Sequence, residues 1–307
     1  MLRFIALRLF RLLVTLWLLV SLVFLAIHAA PGDPTDTLVS AGANKDVIES
    51  LRRDLGLDQP LWVQYARYIG DLAKGNLGVS WRYGTAVSHQ LRSAFSHTAT
   101  LALSAMAVAT VFGVVAGVIA ALYRNGLFDL VARLSALVGI SAPIFVINLA
   151  AIYLFAFKYP VFPTSGSETG KSLVLPAVTL GLFVAAMMLR LVRSATLEVL
   201  AQQYVTAARS RGIPGPRLLL HHVVPNILVT VVTLIGVQFG LLLGGSVITE
   251  TVFAWPGLGQ MTVVAIKTKD MPVVQGAVTV FACSFMVVNF LVDLIYPMLD
   301  PRISVRR

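Results

Sequence analysis

Six stretches, 9–30, 98–123, 134–157, 173–193, 226–248 and 273–296, run for about twenty residues each with few charges. A helix of that length crosses the hydrocarbon core of a bilayer, and the backbone must pair internally once it is in lipid. A closed barrel would satisfy the same condition, but its segments alternate in polarity about every other residue over roughly ten positions. These stretches do not alternate. The chain is therefore read as an all-α membrane protein with six transmembrane helices. Composition agrees: 57% of the 307 residues are hydrophobic and 12% charged, against about a quarter charged in soluble domains. The remaining polar surface is too small to cover a water-soluble body.

Charge placement sets the orientation. With a cytoplasmic N-terminus, 13 of the 24 basic residues lie on inner segments, and only Lys158, Lys171, Lys267 and Lys269 lie on short outer loops. The positive-inside rule then places both termini in the cytoplasm. The net charge of +10 follows from that bias and does not imply nucleic acid as a partner. The first span has a basic start, but its apolar run exceeds a signal-peptide core and lacks a small-x-small end, so it reads as an uncleaved span.

Three regions follow: 1–30 as a tail and first span, 31–97 as an external region, and 98–307 as a five-span core. In the external region, Val47, Ile48, Leu51 and Leu55 form one helical stripe, and Leu61, Tyr65, Ile69 and Leu72 form a second that ends at Gly75. The other long polar stretch, 194–225, is cytoplasmic. Its pattern predicts a helix to Gly212, a break at Pro214-Gly215-Pro216, a short helix, and then the next span.

The motifs that suggest chemistry weaken on inspection. The run from Ser165 to Ser172 resembles a phosphate-cradling loop, but its first glycine is replaced by Ser165 and no strand feeds it. His221 and His222 are neighbours about 100° apart on a helix, so they do not chelate one ion from one face. No metal site is expected, and Cys283, alone in an apolar run, reads as a packing residue. Ser246 and the histidine pair sit at opposite ends of one span, too far apart for a serine hydrolase. No catalytic residue is expected, and a membrane-embedded enzyme finds no convergent set of groups.

Several intramembrane residues remain as pathway or packing candidates. Gly236, Gly240 and Gly244 recur every four residues, which suits either close helix packing or a moving, subunit-facing surface; Gly113 and Gly117 repeat the spacing. Gln238 shares that helix and suits a pathway group or an interhelical hydrogen bond. Pro143, between Ser141 and Asn148, is expected to kink the third span. Asn289, Asp293 and Tyr296 lie on one face of the last span, where Asp293 is open to a functional or a structural reading. Arg190 and Arg193 are expected to snorkel to the inner headgroups.

Taken in order, these strings resemble the permease subunits of binding-protein-dependent ABC importers. Their mark is a cytoplasmic Glu-Ala-Ala, three residues, Gly, nine residues, Ile-x-Leu-Pro. Here Ala207-Ala208 precedes Gly212 and Pro225 at that spacing, with Thr206 in place of the glutamate and His222 in place of the isoleucine. The likeness is greatest to the first permease of the dipeptide and oligopeptide pairs. Pro31-Gly32-Asp33-Pro34, Leu55 to Leu61, Gly75 to Ser80, and the run Glu250-Thr251-Val252-Phe253-Ala254-Trp255-Pro256-Gly257-Leu258-Gly259 carry it, as does Leu299 to Ile303.

The resemblance implies a coupling loop (Tyr204, Thr206, Ala207, Ala208, Arg209, Gly212, Pro225) that docks on an ATPase. It also implies an external-loop motif at Glu250, Phe253, Trp255, Pro256, Gly257 and Gly259. The implied partners are a second homologous permease, two ATP-binding-cassette subunits holding ATP and Mg, and an extracytoplasmic solute-binding protein. This chain itself would hold no cofactor. The setting implied is a prokaryotic inner membrane. Short peptides are the expected cargo, with glutathione, a nickel complex or a sugar as alternatives, and an ATP-independent channel or carrier as the other class.

Overall fold

The computed structural model describes residues 2–29, 56 and 58–299. The stripe at 47–55 and the strings at 31–34 and 300–303 lie outside the described residues. Those described form helices, turns and one isolated bridge, Val79 to Ala86. Five helices are long and apolar enough to cross a membrane, and a sharply bent pair makes a sixth if it forms one span.

In chain order these are α1 (Leu2–Ala29), α2 (Leu61–Ala73), α3 (Val87–Leu122), α4 (Leu127–Ser141), α5 (Ile144–Ile152), α6 (Val174–Leu200), α7 (Gln203–Ser210), α8 (Gly215–Leu218), α9 (Val224–Gly245), α10 (Val247–Val252), α11 (Leu258–Lys267) and α12 (Met271–Leu299). The chain divides into two compact units: residues 1–97 with 257–284, and residues 98–256 with 285–307.

In the first unit, α1 is apolar beyond its arginine-bearing first turns and leaves Phe10, Trp17, Leu22 and Leu25 exposed, as a lipid-facing helix does. One side of it meets α2. Phe24 stacks with Tyr68 and meets Tyr65 edge-on, and Ser21 and Tyr65 share a hydroxyl hydrogen bond of 2.6 Å. The α2 helix starts after Pro60 and stops where Gly75 takes φ +74, with the Gly75 amide donating to Leu72 O and the Asn76 amide to Asp71 O. The unit's core packs Val87, Leu91 and Ala94 of α3 against Leu258, Ala265, Val273 and Ala277. Gly276 permits it, because a Cβ there would lie 2.8 Å from Leu91.

In the second unit α6 is the interior helix, and its span is 67% buried. Leu180, Val184 and Met188 meet Leu101, Ala105 and Ala109 of α3, with Leu242, Leu243 and Trp255 completing the cluster. Small residues set the separation: a Cβ on Gly113 would lie 2.7 Å from Met188 Cβ, and one on Gly181 2.7 Å from Ala105 O.

Three expectations change. The third span does not merely kink. Pro143 ends it as a straight element, and 127–141 and 144–158 meet at 101°. The residue before a proline is driven out of the helical region, and Ala142 takes ψ 128. The second span begins at Val87 and runs 36 residues, or ~54 Å at 1.5 Å per residue, well beyond the bilayer core. The short helix before the fifth span is not separate from it: α8 passes through a wide π turn, Leu219–Val223, directly into α9. Pro225 explains that turn, since it removes the donor that would reach the His221 carbonyl and its ring would collide there.

Candidate coupling loop and buried polar contacts

The segment between α6 and α8 is built around α7. Gln202 is extended and its carbonyl accepts the Val205 amide at 3.1 Å and the Thr206 amide at 3.2 Å. At the far end the Gly212 amide donates to Arg209 O at 2.9 Å and the Ile213 amide to Ala208 O at 3.3 Å, with Gly212 at φ +78. That is a Schellman motif, in which a left-handed residue follows the helix and an apolar contact spans the cap. Ile213 and Ala208 supply the contact. The spacing Ala208-x-x-x-Gly212 therefore has a local cause: four residues separate the inward side chain from the residue that must turn left.

The helix is two-sided. Val205 and Ala208 are buried with Leu218, against Val199, Leu200 and Ile213. Tyr204, Thr206, Ala207 and Arg209 are exposed. Gly212 faces open space, and Pro225 is exposed in the first turn of α9. Of the residues singled out in this loop, Ala208 and Gly212 thus shape it, while Tyr204, Thr206, Ala207 and Arg209 form its outer face.

The root of this loop carries an ion pair. Arg193, on α6, donates from Nε to Asp129 Oδ1 at 2.6 Å and from Nη2 to Oδ2 at 2.9 Å. The Asn125 amide also donates to Asp129 at 3.0 Å, and Arg133 stands 3.6 Å away. Arg193 is therefore a bidentate partner for α4 and not a snorkelling residue; Arg190 is exposed. Sequence reasoning passed over Asp129. Its signal was an acid in the first turn of α4, four residues from Arg133.

The motif expected in an outer loop begins inside a helix. Glu250 lies in α10, fully buried, and accepts the Thr98 hydroxyl at 2.8 Å and the Ser246 hydroxyl at 2.7 Å. Phe253 packs with Ala151 and Leu175, and Trp255 joins the main core. Pro256 is exposed, Gly257 caps α11 and Gly259 is buried. Ala254 turns at φ 47, and its neighbour Phe253 accepts the Gly166 amide at 3.0 Å. The run that imitates a phosphate loop, 165–172, leads into a 3-10 turn at Gly170–Leu173. It has no strand before it among the described residues.

The intramembrane candidates separate by environment. Asn148 is buried beside Thr249, donating from Nδ2 at 3.1 Å, and its Oδ1 has no hydrogen-bond partner. Gln238 donates to the Met187 sulfur at 3.0 Å, an interhelical contact. Gly236 abuts Val292 and Gly240 abuts Phe285, whereas Gly244 has open space. Asp293 is half-buried, and Asn289 bonds back to Phe285 O at 2.8 Å. The described residues hold no group of three or more metal-ligating side chains.

Comparison with known proteins decides the family. Residues 113–305 match the binding-protein-dependent transport system inner membrane component, and residues 1–102 match the N-terminal part of such membrane components. The chain belongs to that family. It is 38% identical over 303 residues to the glutathione transport system permease protein GsiC of Escherichia coli strain K12, covering 99% of each chain. The GsiC protein of Shigella dysenteriae is equally similar, at 38% with the same coverage. Among solved structures, the inward-facing MetNI methionine ABC transporter superposes with a TM-score of 0.56 at 19% identity, over 69% of this chain and 97% of that one. It supports the fold alone. The protein is thus a multi-pass inner-membrane permease subunit of the ABC-importer class, and its family is one of transport components.

Proposed function

We propose that this chain is one of two homologous pore-forming subunits of an ATP-driven importer in a prokaryotic inner membrane. It crosses six times with both termini inside, counting α4 and α5 as one broken crossing. Two ATP-binding-cassette subunits, holding ATP and Mg, grip the outer face of α7. A solute-binding protein delivers cargo from the other side. The cargo is a short peptide, with the tripeptide glutathione foremost. The observation that carries this reading is the end-to-end match to permeases named for glutathione transport.

Mechanically, closure of the ATPases pushes on Tyr204, Ala207 and Arg209. Val205 and Ala208 pass that displacement to the ends of α6 and α8, because they are packed against both. The inward- and outward-facing states then differ in affinity for the ATP-bound ATPases, which is the only way nucleotide can shift their balance. Nothing in this chain has to hydrolyse nucleotide.

The test is uptake into proteoliposomes holding the complete importer and its binding protein. ATP-dependent accumulation of labelled glutathione, with weaker uptake of alanyl dipeptides and none of nickel, is the expected result. Equal conduction without ATP would replace the importer by a channel. Uptake of dipeptides with glutathione excluded would move the cargo to the general peptide class.

A further inference from the structure

The Asp129 ion pair leaves positive charge over. Asp129 is fully buried, and Arg193 donates to both its oxygens. The Asn125 amide takes a further lone pair of Oδ2 at 3.0 Å. Arg133 stands 3.6 Å from Oδ1, beyond hydrogen-bond reach, with its side chain half exposed. Arg190 is exposed and has no ion-pair or hydrogen-bond partner among the described residues.

Helix geometry makes these two arginines neighbours. The seam between α4 and α6 is antiparallel: Asp129 meets Arg193, Ala132 and Ala136 cluster with Ala186 and Leu189, and a Cβ on Gly139 would lie 2.8 Å from Ala186 Cβ. Arg133 follows Asp129 by four residues and Arg190 precedes Arg193 by three. Both therefore stand about one turn nearer the middle of the span, at one level. At 100° per residue both fall on the same side of the seam. Ala116 and Ala120 of α3 close the other side.

Two guanidiniums side by side at the edge of a membrane repel unless an anion lies between them. The chain's own acids do not supply it. Even with Asp300, which lies outside the described residues, the segments read as inner hold 13 basic residues against Asp129, Glu198, Asp293 and Asp300. Glu198 is ~12 Å from Arg190 along α6, and Asp293 follows Val292, which abuts Gly236 of α9. Beside Arg133, Leu130, Leu134 and Leu137 of α4 are exposed. An anion that suits both arginines and this leucine face is an amphiphile, since a soluble oxyanion would leave the leucines uncovered.

We propose that Arg133 and Arg190 clamp the phosphate of one anionic phospholipid of the inner leaflet, whose acyl chains lie along the leucines of α4. The planar fork of arginine matches phosphate oxygens, and basic pockets between spanning helices lodge such headgroups. The choice of leaflet rests on the orientation proposed above; the clamp itself does not.

The complete importer is stripped of lipid in detergent and offered phosphatidylglycerol or phosphatidylcholine, and retained lipid is read by native mass spectrometry. The wild type should keep phosphatidylglycerol through washing that removes phosphatidylcholine. Arg133→Gln and Arg190→Gln should each weaken that retention about tenfold, as loss of one charge-assisted pair does, whereas the exposed Arg217→Gln should not. Arg133→Lys with Arg190→Lys keeps both charges without the fork and should retain an intermediate amount. Both positions are exposed, so the single variants carry the test if a double variant fails to assemble. Equal retention of the two lipids, or unchanged retention in both glutamine variants, would overturn the proposal. Displacement of the lipid by inorganic phosphate or by glutathione would overturn the lipid as occupant. An Arg124→Cys thiol in a Cys283→Ser background, labelled from outside by an impermeant maleimide, would overturn the orientation reading and the leaflet but not the clamp.

Discussion

Gly236→Ala should destabilise this protein although it introduces one methyl group and a better helix former. A Cβ at position 236 would lie 2.1 Å from Val292 Cγ2, 3.1 Å from its Cβ and 3.2 Å from Cγ1. No rotation of valine escapes, because its Cβ is itself inside the 3.4 Å at which ordinary contact begins. The α9 and α12 backbones must separate by about 1 Å, and such overpacking costs typically 1–3 kcal/mol. Replacing a mid-helix glycine by alanine returns roughly 0.5–1 kcal/mol. The net is a loss of about 1–2 kcal/mol, a few degrees in Tm for a chain of this size. Gly244→Ala supplies the control. Nothing lies within 4 Å of its Cβ, so only the helical gain remains and Tm should hold or rise. Gly240→Ala should fall between them, since the Phe285 ring 2.8 Å away can tilt. Val292→Ala removes both methyls, so the Gly236→Ala, Val292→Ala double variant should be at least about 1 kcal/mol more stable than the two single losses predict. Thermal unfolding of the purified protein in one detergent reads all of these. A Gly236→Ala variant as stable as Gly244→Ala, or a double variant that is merely additive, would refute the packing argument.

Gly212→Ala keeps the chain length but places a Cβ at φ +78, a conformation costing about 1–2 kcal/mol without glycine. ATPase stimulation by cargo should fall in the assembled importer at normal membrane levels, and full coupling would remove the loop's role. Ala208→Glu drives a carboxylate into the Val205 and Leu218 contact and should abolish stimulated uptake. Arg193→Met should lower Tm by leaving Asp129 with the Asn125 amide and the more distant Arg133; pairing it with Asp129→Leu should recover part of the loss. Burial holds the Tyr68 phenol above its ordinary value of 10, against a smaller lowering by the Thr279 hydroxyl. A raised folded value means the neutral phenol is favoured by folding. That contribution is complete below pH 10 and is lost as alkali carries the pH above it. Tyr68→Phe should therefore flatten the alkaline fall in Tm, and an unchanged slope would discount the group.

What the sequence exposed was decided by period and length. Uninterrupted apolar runs located the long apolar helices, although α3 starts about three turns before position 98, and Pro60 and Gly75 bounded α2 because each acts on its own backbone. The errors share a cause: they concern partners distant in the chain. Asp129 and Arg193 are 64 residues apart, so Arg193 read as a snorkelling residue and Asp129 was passed over. The burial of Glu250 was not legible, because its partner Thr98 is 152 residues away. Gly244 continued the ridge of Gly236 and Gly240 by spacing, yet only Val292 and Phe285 give that ridge a facing helix. Pro143 was visible, but the size of the bend depended on α5 finding α6 and α10 to pack against.

Under the proposed importer reading, α7 is a short exposed helix that has to move a membrane domain. Its inward side chains pack with the last residues of α6 and with Leu218 at the end of α8, which continues through the π turn into an apolar span. A hinge at either junction would absorb the displacement. At the α8 junction the π turn is closed by side chains as well as backbone, with the Asn226 amide donating to His222 O at 2.7 Å. On the other side, α6 is clamped to α3 by contacts too close for any larger residue at Gly113, Gly117 and Gly181. A lever works only if its fulcrum does not yield, and packing at backbone distance yields least. Enlarging Gly117, where a Cβ would stand 2.9 Å from Leu189 O, should therefore impair coupling without touching α7. If Gly117→Ala left stimulated uptake intact while lowering Tm, α6 would be scaffold only, and the thrust would have to travel through α9.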